Sequence, residues 1–240
     1  MRVSLAALAF AMTTASCLAW AHDEPPQTVL LLHFDEGEGT VAHDASGLGN
    51  DGTIKGGPAW TGGRFGGALQ FNGDGRVDAG RPEALDFAKT CDFTVECWVK
   101  VEPETPPEFY FIISTRLRLD ETPGYTLYLH RNFHVLAAVG DKVNWTDALS
   151  SREAINDGRW HHLALTCDRD GQASLYVDGE LQSAADMSFL VTMHNDECPL
   201  LVGSRGYSGD FVGCIDEVRI SRGVRTDFSL DAPCSPDAGR

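Results

Sequence analysis

Phe93-Thr94-Val95-Glu96-Cys97-Trp98-Val99-Lys100 decides the fold class. Phe93, Val95, Cys97 and Val99 fall on one side and Trp98 on the other, the period-two alternation of a half-buried β-strand. The same style recurs outward in both directions. Thr28 to Phe34 is β-rich, and Tyr110 to Thr115, Tyr125 to Leu129 and Phe133 to Val139 repeat the pattern. Trp160 to Cys167, a turn at Asp168-Arg169-Asp170-Gly171 and Ala173 to Val177 read as a hairpin. Asp178-Gly179 begins another turn of the type that hairpins favour, and Leu200 to Gly203 and Phe211 to Ile220 complete the set. Only Pro82 to Lys89 carries a weak helical period. With 25 glycines and 11 prolines as punctuation, this predicts an all-β, two-sheet antiparallel β-sandwich or jelly roll. No repeat or composition shift marks a second domain, so one domain is expected over 27–230, followed by a C-terminal tail at 231–240.

The 240 residues are 42% hydrophobic and 22% charged, an ordinary globular balance with ample material for a core. Nineteen basic residues against 35 acidic ones give a formal charge of −16, which argues against nucleic acid or anionic lipid as partner. The amino terminus reads as an export signal. Arg2 precedes the apolar run Leu5 to Met12, and Ala19-Trp20-Ala21 is a small-x-small cleavage pattern. Residues 1–21 are therefore expected to be a signal peptide, with 22–26 a polar leader. The expected location is secreted, periplasmic or at the cell surface. The alternative is a lipoprotein anchored at Cys17, whose preceding Thr14-Ala15-Ser16 departs from the usual pattern at Thr14. No later segment approaches a membrane span.

Cleavage removes Arg2 and Cys17, leaving 18 basic residues against 35 acids, a charge of −17, and six cysteines. Six cysteines allow 15 connectivities, and none of them forms a CxxC pair. Cys97 and Cys167 lie on apolar sides of strands and read as buried thiols. Cys198 and Cys214 flank an apparent hairpin and are the expected bridge.

Trp145, Tyr207 and the Tyr125, Tyr128, His130 group are candidate sugar-stacking residues. The alternative reading makes Tyr128 an ordinary sheet residue and Trp145 a cover for a sheet end. Asn144-Trp145-Thr146 is also a glycosylation sequon. His161 and His162 are adjacent, so on a strand they point to opposite faces and do not share an ion. His33, His43, His130, His134 and His194 show no ligand spacing, and no G-x-S-x-G elbow is present.

Five blocks resemble one family. They are His33 to Thr40 with Asp44 to Thr53, Gly66 to Gly73, Phe93 to Val99, Trp160 to Thr166, and Val212 to Ile220. In this order they are similar to a concanavalin A-like lectin/glucanase domain of the laminin G-like type. The resemblance implies two curved antiparallel sheets packed face to face. It leaves function open, because this fold serves lectins, glycosidases, adhesion modules and spacers. A glucanase of that superfamily carries E-x-D-x-x-E on one strand. No glutamate here has an aspartate two residues on, and Glu96 stands without a second acid. The resemblance also implies a structural Ca²⁺ ion between the first strand's loop and the closing strand. Carried over, Asp216 supplies a carboxylate, and the loops at Asp35 and at Asp44 to Gly47 supply the rest. Asp44 could instead form an Asx-turn, and Asp216 could pair with Arg219 or cap backbone amides. The expected function is an exported, non-catalytic module that binds carbohydrate or a protein surface. Its rivals are a divergent glycoside hydrolase with acids on separate strands, and a cell-surface spacer.

Overall fold

Alternation along the strands builds two antiparallel sheets with the apolar positions between them. The structure is a computed structural model, and it describes residues 25–235 except 88–90, 117–121, 147–148, 191, 194, 196 and 229. The expected signal peptide, Cys17 and His194 lie outside the described residues. In chain order the strands are β1 Gln27–Leu32, β2 Val41–Ala42, β3 Gly52–Lys55, β4 Ala59–Gly62, β5 Gly67–Asn72 and β6 Arg76–Asp78. Next come β7 Phe93–Lys100, β8 Tyr110–Ser114, β9 Gly124–Leu129, β10 His134–Gly140 and β11 Leu149–Ala154. The last are β12 Trp160–Cys167, β13 Gln172–Val177, β14 Glu180–Asp186, β15 Leu201–Val202 and β16 Val212–Arg222. The weak helical period resolves to one short 3₁₀ turn, Glu83–Leu85.

The first sheet runs β14-β13-β12-β7-β16-β5-β4, with β1 also on β16, and the second runs β11-β10-β9-β8-β15-β6-β3-β2. Between them lie Phe93, Val95, Cys97 and Val99 of β7, Leu163 and Leu165 of β12, and Leu127, Leu129, Val135 and Ala137 from the second sheet. Cys97 and Cys167 are free, fully buried thiols in this core, and burial pushes both well above the ordinary thiol range.

The expected Cys198–Cys214 bridge is corrected, for both are free thiols. The reason is topological. Leu201 and Val202 pair with β6 and β8 in the second sheet, whereas β16 belongs to the first. The apparent hairpin is a crossing between sheets, and Cys214 instead donates its S–H to Gln70 Oε1 at 3.0 Å.

β16 contains the one irregularity that matters most. Its register against β7 slips between Asp216 and Arg219, and Glu217 has φ +50°. The inserted residue keeps Ile215, Val218 and Ile220 all in the core although they are not evenly spaced by two. Its first half pairs with β5 and its second half with β1, which starts at Gln27↔Arg222.

The outer face of the first sheet is polar yet buried. Glu96 of β7 accepts from Arg219 Nε at 2.7 Å and lies 3.2 Å from both His162 Nε2 and Arg225 Nε. Arg219 is thus committed to Glu96, not to Asp216. The segment after β16 covers this cluster. Phe228 packs 5.3 Å from His162 and 5.2 Å from Tyr176, and the Cys234 N–H donates to Glu217 Oε2 at 2.7 Å. Burial pushes the Glu96 carboxyl up, but the His162 hydrogen bond and the Arg219 charge outweigh it and hold the group at about 2.

Glu96→Ala leaves buried cations without their counter-charge and is expected to cost about 3–5 kcal/mol in urea unfolding. The Glu96 contribution is present above its ordinary value of 4.5 and is lost as pH falls toward about 2. Glu96→Gln is therefore expected to flatten acid unfolding in that window. Parental stability in Glu96→Ala would show that the cluster contributes nothing.

Candidate functional site

Phe111 of β8 and Tyr128 of β9 are register partners, and their side chains lie on the outer face of the second sheet. Their rings stack at 5.3 Å with an interplanar angle of 15°. Arg205, in the loop between β15 and β16, places its guanidinium 4.3 Å over Phe111 and 4.6 Å over the Tyr207 ring. Tyr207 caps the stack and is 60% exposed. The loop is tied down by local bonds: Gly206 N–H to Ser204 Oγ at 2.8 Å, Arg205 Nη2 to Ser208 Oγ at 2.9 Å, and Phe111 N–H to the Gly209 carbonyl at 2.8 Å. Gly209 has φ +73°, and a Cβ there would strike the Phe111 ring, so only glycine lets the loop approach this closely.

His130 and Tyr128 join Tyr207 at this end of β8 and β9. His130 packs edge-on to Phe109 at 5.0 Å, and Arg131 lies 5.2 Å over the same ring. Trp145 does not join them. It bridges to Gly140, which pairs with Gly124 at the far end of β9, about 17 Å along the strand at ~3.3 Å per residue. Trp145 stands at that sheet end and is 48% exposed. Tyr128 is buried, and that burial raises its phenol above the ordinary range, so it supports the stack from below. Phe111 and Arg205 were not singled out in the sequence. An arginine two residues before an exposed tyrosine in a glycine-rich loop was the available signal.

A second feature lies where the β16 bulge meets the start of the domain. Asp216 is fully buried, and its Oδ2 accepts from the Phe65 N–H at 3.0 Å. Its Oδ1 has no partner among the described residues, and burial pushes the carboxyl up to about 7. Asp35 Oδ1 accepts from the Gly67 N–H at 2.6 Å, and a Cβ on Gly67 would strike the Phe34 carbonyl. His33 pairs with Glu217 at 2.9 Å, and that hydrogen bond raises its imidazole against the opposing effect of burial.

Asp44 and Gly47 shape a turn. The Asp44 carboxylate accepts from Leu31 N–H at 3.0 Å, Ser46 N–H at 2.9 Å, Ser46 Oγ at 2.7 Å and Asn50 N–H at 2.9 Å. Both its oxygens are thereby engaged in the turn, and Gly47 is an exposed left-handed turn residue. Among the described residues no three His, Cys, Asp or Glu side chains form a metal-ligating group. What remains at the corner is hard-oxygen chemistry: the unsatisfied Asp216 oxygen, Asp35 and main-chain carbonyls. His161 and His162 face opposite ways, the first between Asp157 and Asp178, the second on Glu96.

A family model described as the concanavalin A-like lectin/glucanases superfamily (Laminin_G_3) matches residues 71–229. Among solved structures, domain 4 of AbnA, an extracellular GH43 arabinanase of Geobacillus stearothermophilus in complex with arabinotriose, is 21% identical with a TM-score of 0.67. That match covers 88% of this chain and 100% of the other. The binding domain of Paraclostridial Mosquitocidal Protein 1 is 15% identical with a TM-score of 0.68, covering 83% of this chain and 49% of that one. The binding domain of botulinum neurotoxin DC, in complex with rat synaptotagmin II, is 13% identical with a TM-score of 0.63, again covering 83% and 49%. The chain thus spans about half the length of the toxin domains that it matches. No curated protein matches its sequence.

Asp216 generates a pH dependence of definite sign. Its folded value of about 7 lies above its ordinary 3.8, so the folded state holds the proton more tightly and stability falls as pH rises through that interval. In chelator-treated buffer, Asp216→Asn is expected to remove this slope, with an upper bound of about 4 kcal/mol at ~1.4 kcal/mol per unit. Urea unfolding of both proteins between pH 4 and pH 8 measures it, and parallel curves would refute the assignment.

Proposed function

The chain belongs to the concanavalin A-like lectin/glucanase superfamily, and on that premise we propose that it is an exported, non-catalytic carbohydrate-binding module. The observation that carries this reading is the Tyr128–Phe111–Arg205–Tyr207 stack. An exposed tyrosine held by a guanidinium, itself seated on a buried aromatic pair, is a pre-organised platform. The Tyr207 face can pack on the C–H surface of a sugar ring at little ordering cost, while the Arg205 guanidinium supplies polar groups beside it. The arabinanase domain seen with arabinotriose supports a saccharide as the partner class. A protein receptor is the other partner, supported by the neurotoxin domain seen with synaptotagmin.

Glu96 argues for binding over hydrolysis. Glycosidases need a pair of carboxyl groups flanking the scissile bond, whereas Glu96 is sealed against two arginines and a histidine. The export signal at 1–21 supports an extracellular or periplasmic setting, and no described helix is long and apolar enough to cross a membrane.

Ca²⁺ is the second part of the proposal. It would sit at Asp216, with Asp35 and nearby carbonyls as further donors, and would supply the charge that the buried carboxylate lacks. It would thereby pin the Gly63 to Gly67 loop against β16.

Tyr207→Ala is expected to weaken arabinotriose binding at least tenfold in calorimetry, with no change in melting temperature, because the ring is exposed. Unchanged affinity, or no saccharide bound on a glycan array, would favour the protein-receptor reading or the spacer. Reducing-sugar release from β-glucan would restore the hydrolase. Separately, Ca²⁺ at 100 times its dissociation constant is expected to add about 2.7 kcal/mol, a rise of roughly 5–10 °C, absent in Asp216→Asn. A melting temperature indifferent to Ca²⁺ and chelator removes the calcium component alone.

A further inference from the structure

The outer face of the first sheet carries a second opening, remote from the Tyr207 platform. It is an open cleft of about 580 Å³ lined in part by Arg64, Trp98, Trp160, His161, Asp178 and Asp231. Trp98 is 5% exposed, and its indole N–H has no partner among the described residues. That nitrogen is shielded from solvent, so Trp98 serves the cleft as the aromatic floor beneath Arg64 and not as a donor to a ligand. Trp160, at the start of β12, is half-buried and presents an aromatic wall.

Arg64 gives the cleft its chemical preference. Its guanidinium lies 4.9 Å over Trp98 and 5.0 Å over Phe65, and Nη2 makes a 3.4 Å bond to the Leu230 carbonyl. No carboxylate pairs with it among the described residues, although acids outnumber basic residues 35 to 19 in this chain. The other two basic groups at the cleft already have acidic partners: Arg159 Nε donates to Asp157 at 2.6 Å, and His161 lies 2.7 Å from Asp178 and 3.1 Å from Asp157, bonds that raise its imidazole. An exposed guanidinium steadied on aromatic rings is suited to bidentate contact with a planar carboxylate.

We propose that this cleft binds an acidic saccharide unit, a uronate, with its carboxylate on Arg64 and its ring against Trp160. Asp231 stands at the rim, where it can accept from the sugar hydroxyls. The site is separate from the Tyr207 platform and stands or falls independently of it.

The test is calorimetric titration of the full chain with trigalacturonic acid and with its methyl ester, which keeps the rings but removes the charge. The acid is expected to bind at least tenfold more tightly than the ester, with affinity falling as salt is raised. Arg64→Gln, a change at an exposed side chain, is expected to bring the ratio to about one. Trp160→Ala is expected to weaken both ligands, and Tyr207→Ala to change neither. Equal binding of acid and ester, a ratio unmoved by Arg64→Gln, or loss of binding in Tyr207→Ala would each overturn the proposal.

Discussion

One inserted residue in β16, with Glu217 forced to φ +50°, lets a single eleven-residue strand serve three neighbours at once. Without the slip, strict alternation would carry Val218 and Ile220 out of the core as soon as Ile215 pointed into it. With it, the strand keeps β7 on one side and changes from β5 to β1 on the other. A side chain in the left-handed region costs about 1 kcal/mol or more. Contacts on every side hold it there. His33 and the Cys234 amide both bind the Glu217 carboxylate, so the strained residue is also a junction between the first strand's loop and the segment after β16.

The two outer faces are finished differently. On the first sheet, Glu96, His162, Arg219 and Arg225 form a charged layer that the segment after β16 covers with Phe228. On the second, Phe111 and Tyr128 lie under a loop arginine and an exposed tyrosine. The first arrangement consumes its charges internally. The second leaves an aromatic surface presented to solvent. Asp216 stands apart from both, a buried carboxylate with an unsatisfied oxygen.

Much of the architecture was legible because half-buried strands write themselves as alternation. β7, β9, β10, β12 and β13 fall where their apolar spacing puts them. The short strands β2, β3, β4 and β6 were not legible, being two to four residues long with no period to count. Cys198 and Cys214 misled because nearness in sequence cannot reveal that a chain changes sheet between them. Asp44 shows a similar ambiguity: an aspartate before a turn has the same composition whether it holds an ion or the donors of its own turn and of Leu31. The Tyr207 platform was half visible. Its tyrosine stood out, but Arg205 acquires meaning only through Phe111, nearly a hundred positions earlier, and no local pattern links them.

The pairing of Gln27 with Arg222 joins positions 195 residues apart. The first sheet therefore cannot be completed until nearly the whole polypeptide is available, and such non-local closure makes folding slow. The first strand has no partner until the last one arrives, and that same strand then locks the beginning of the domain to its end.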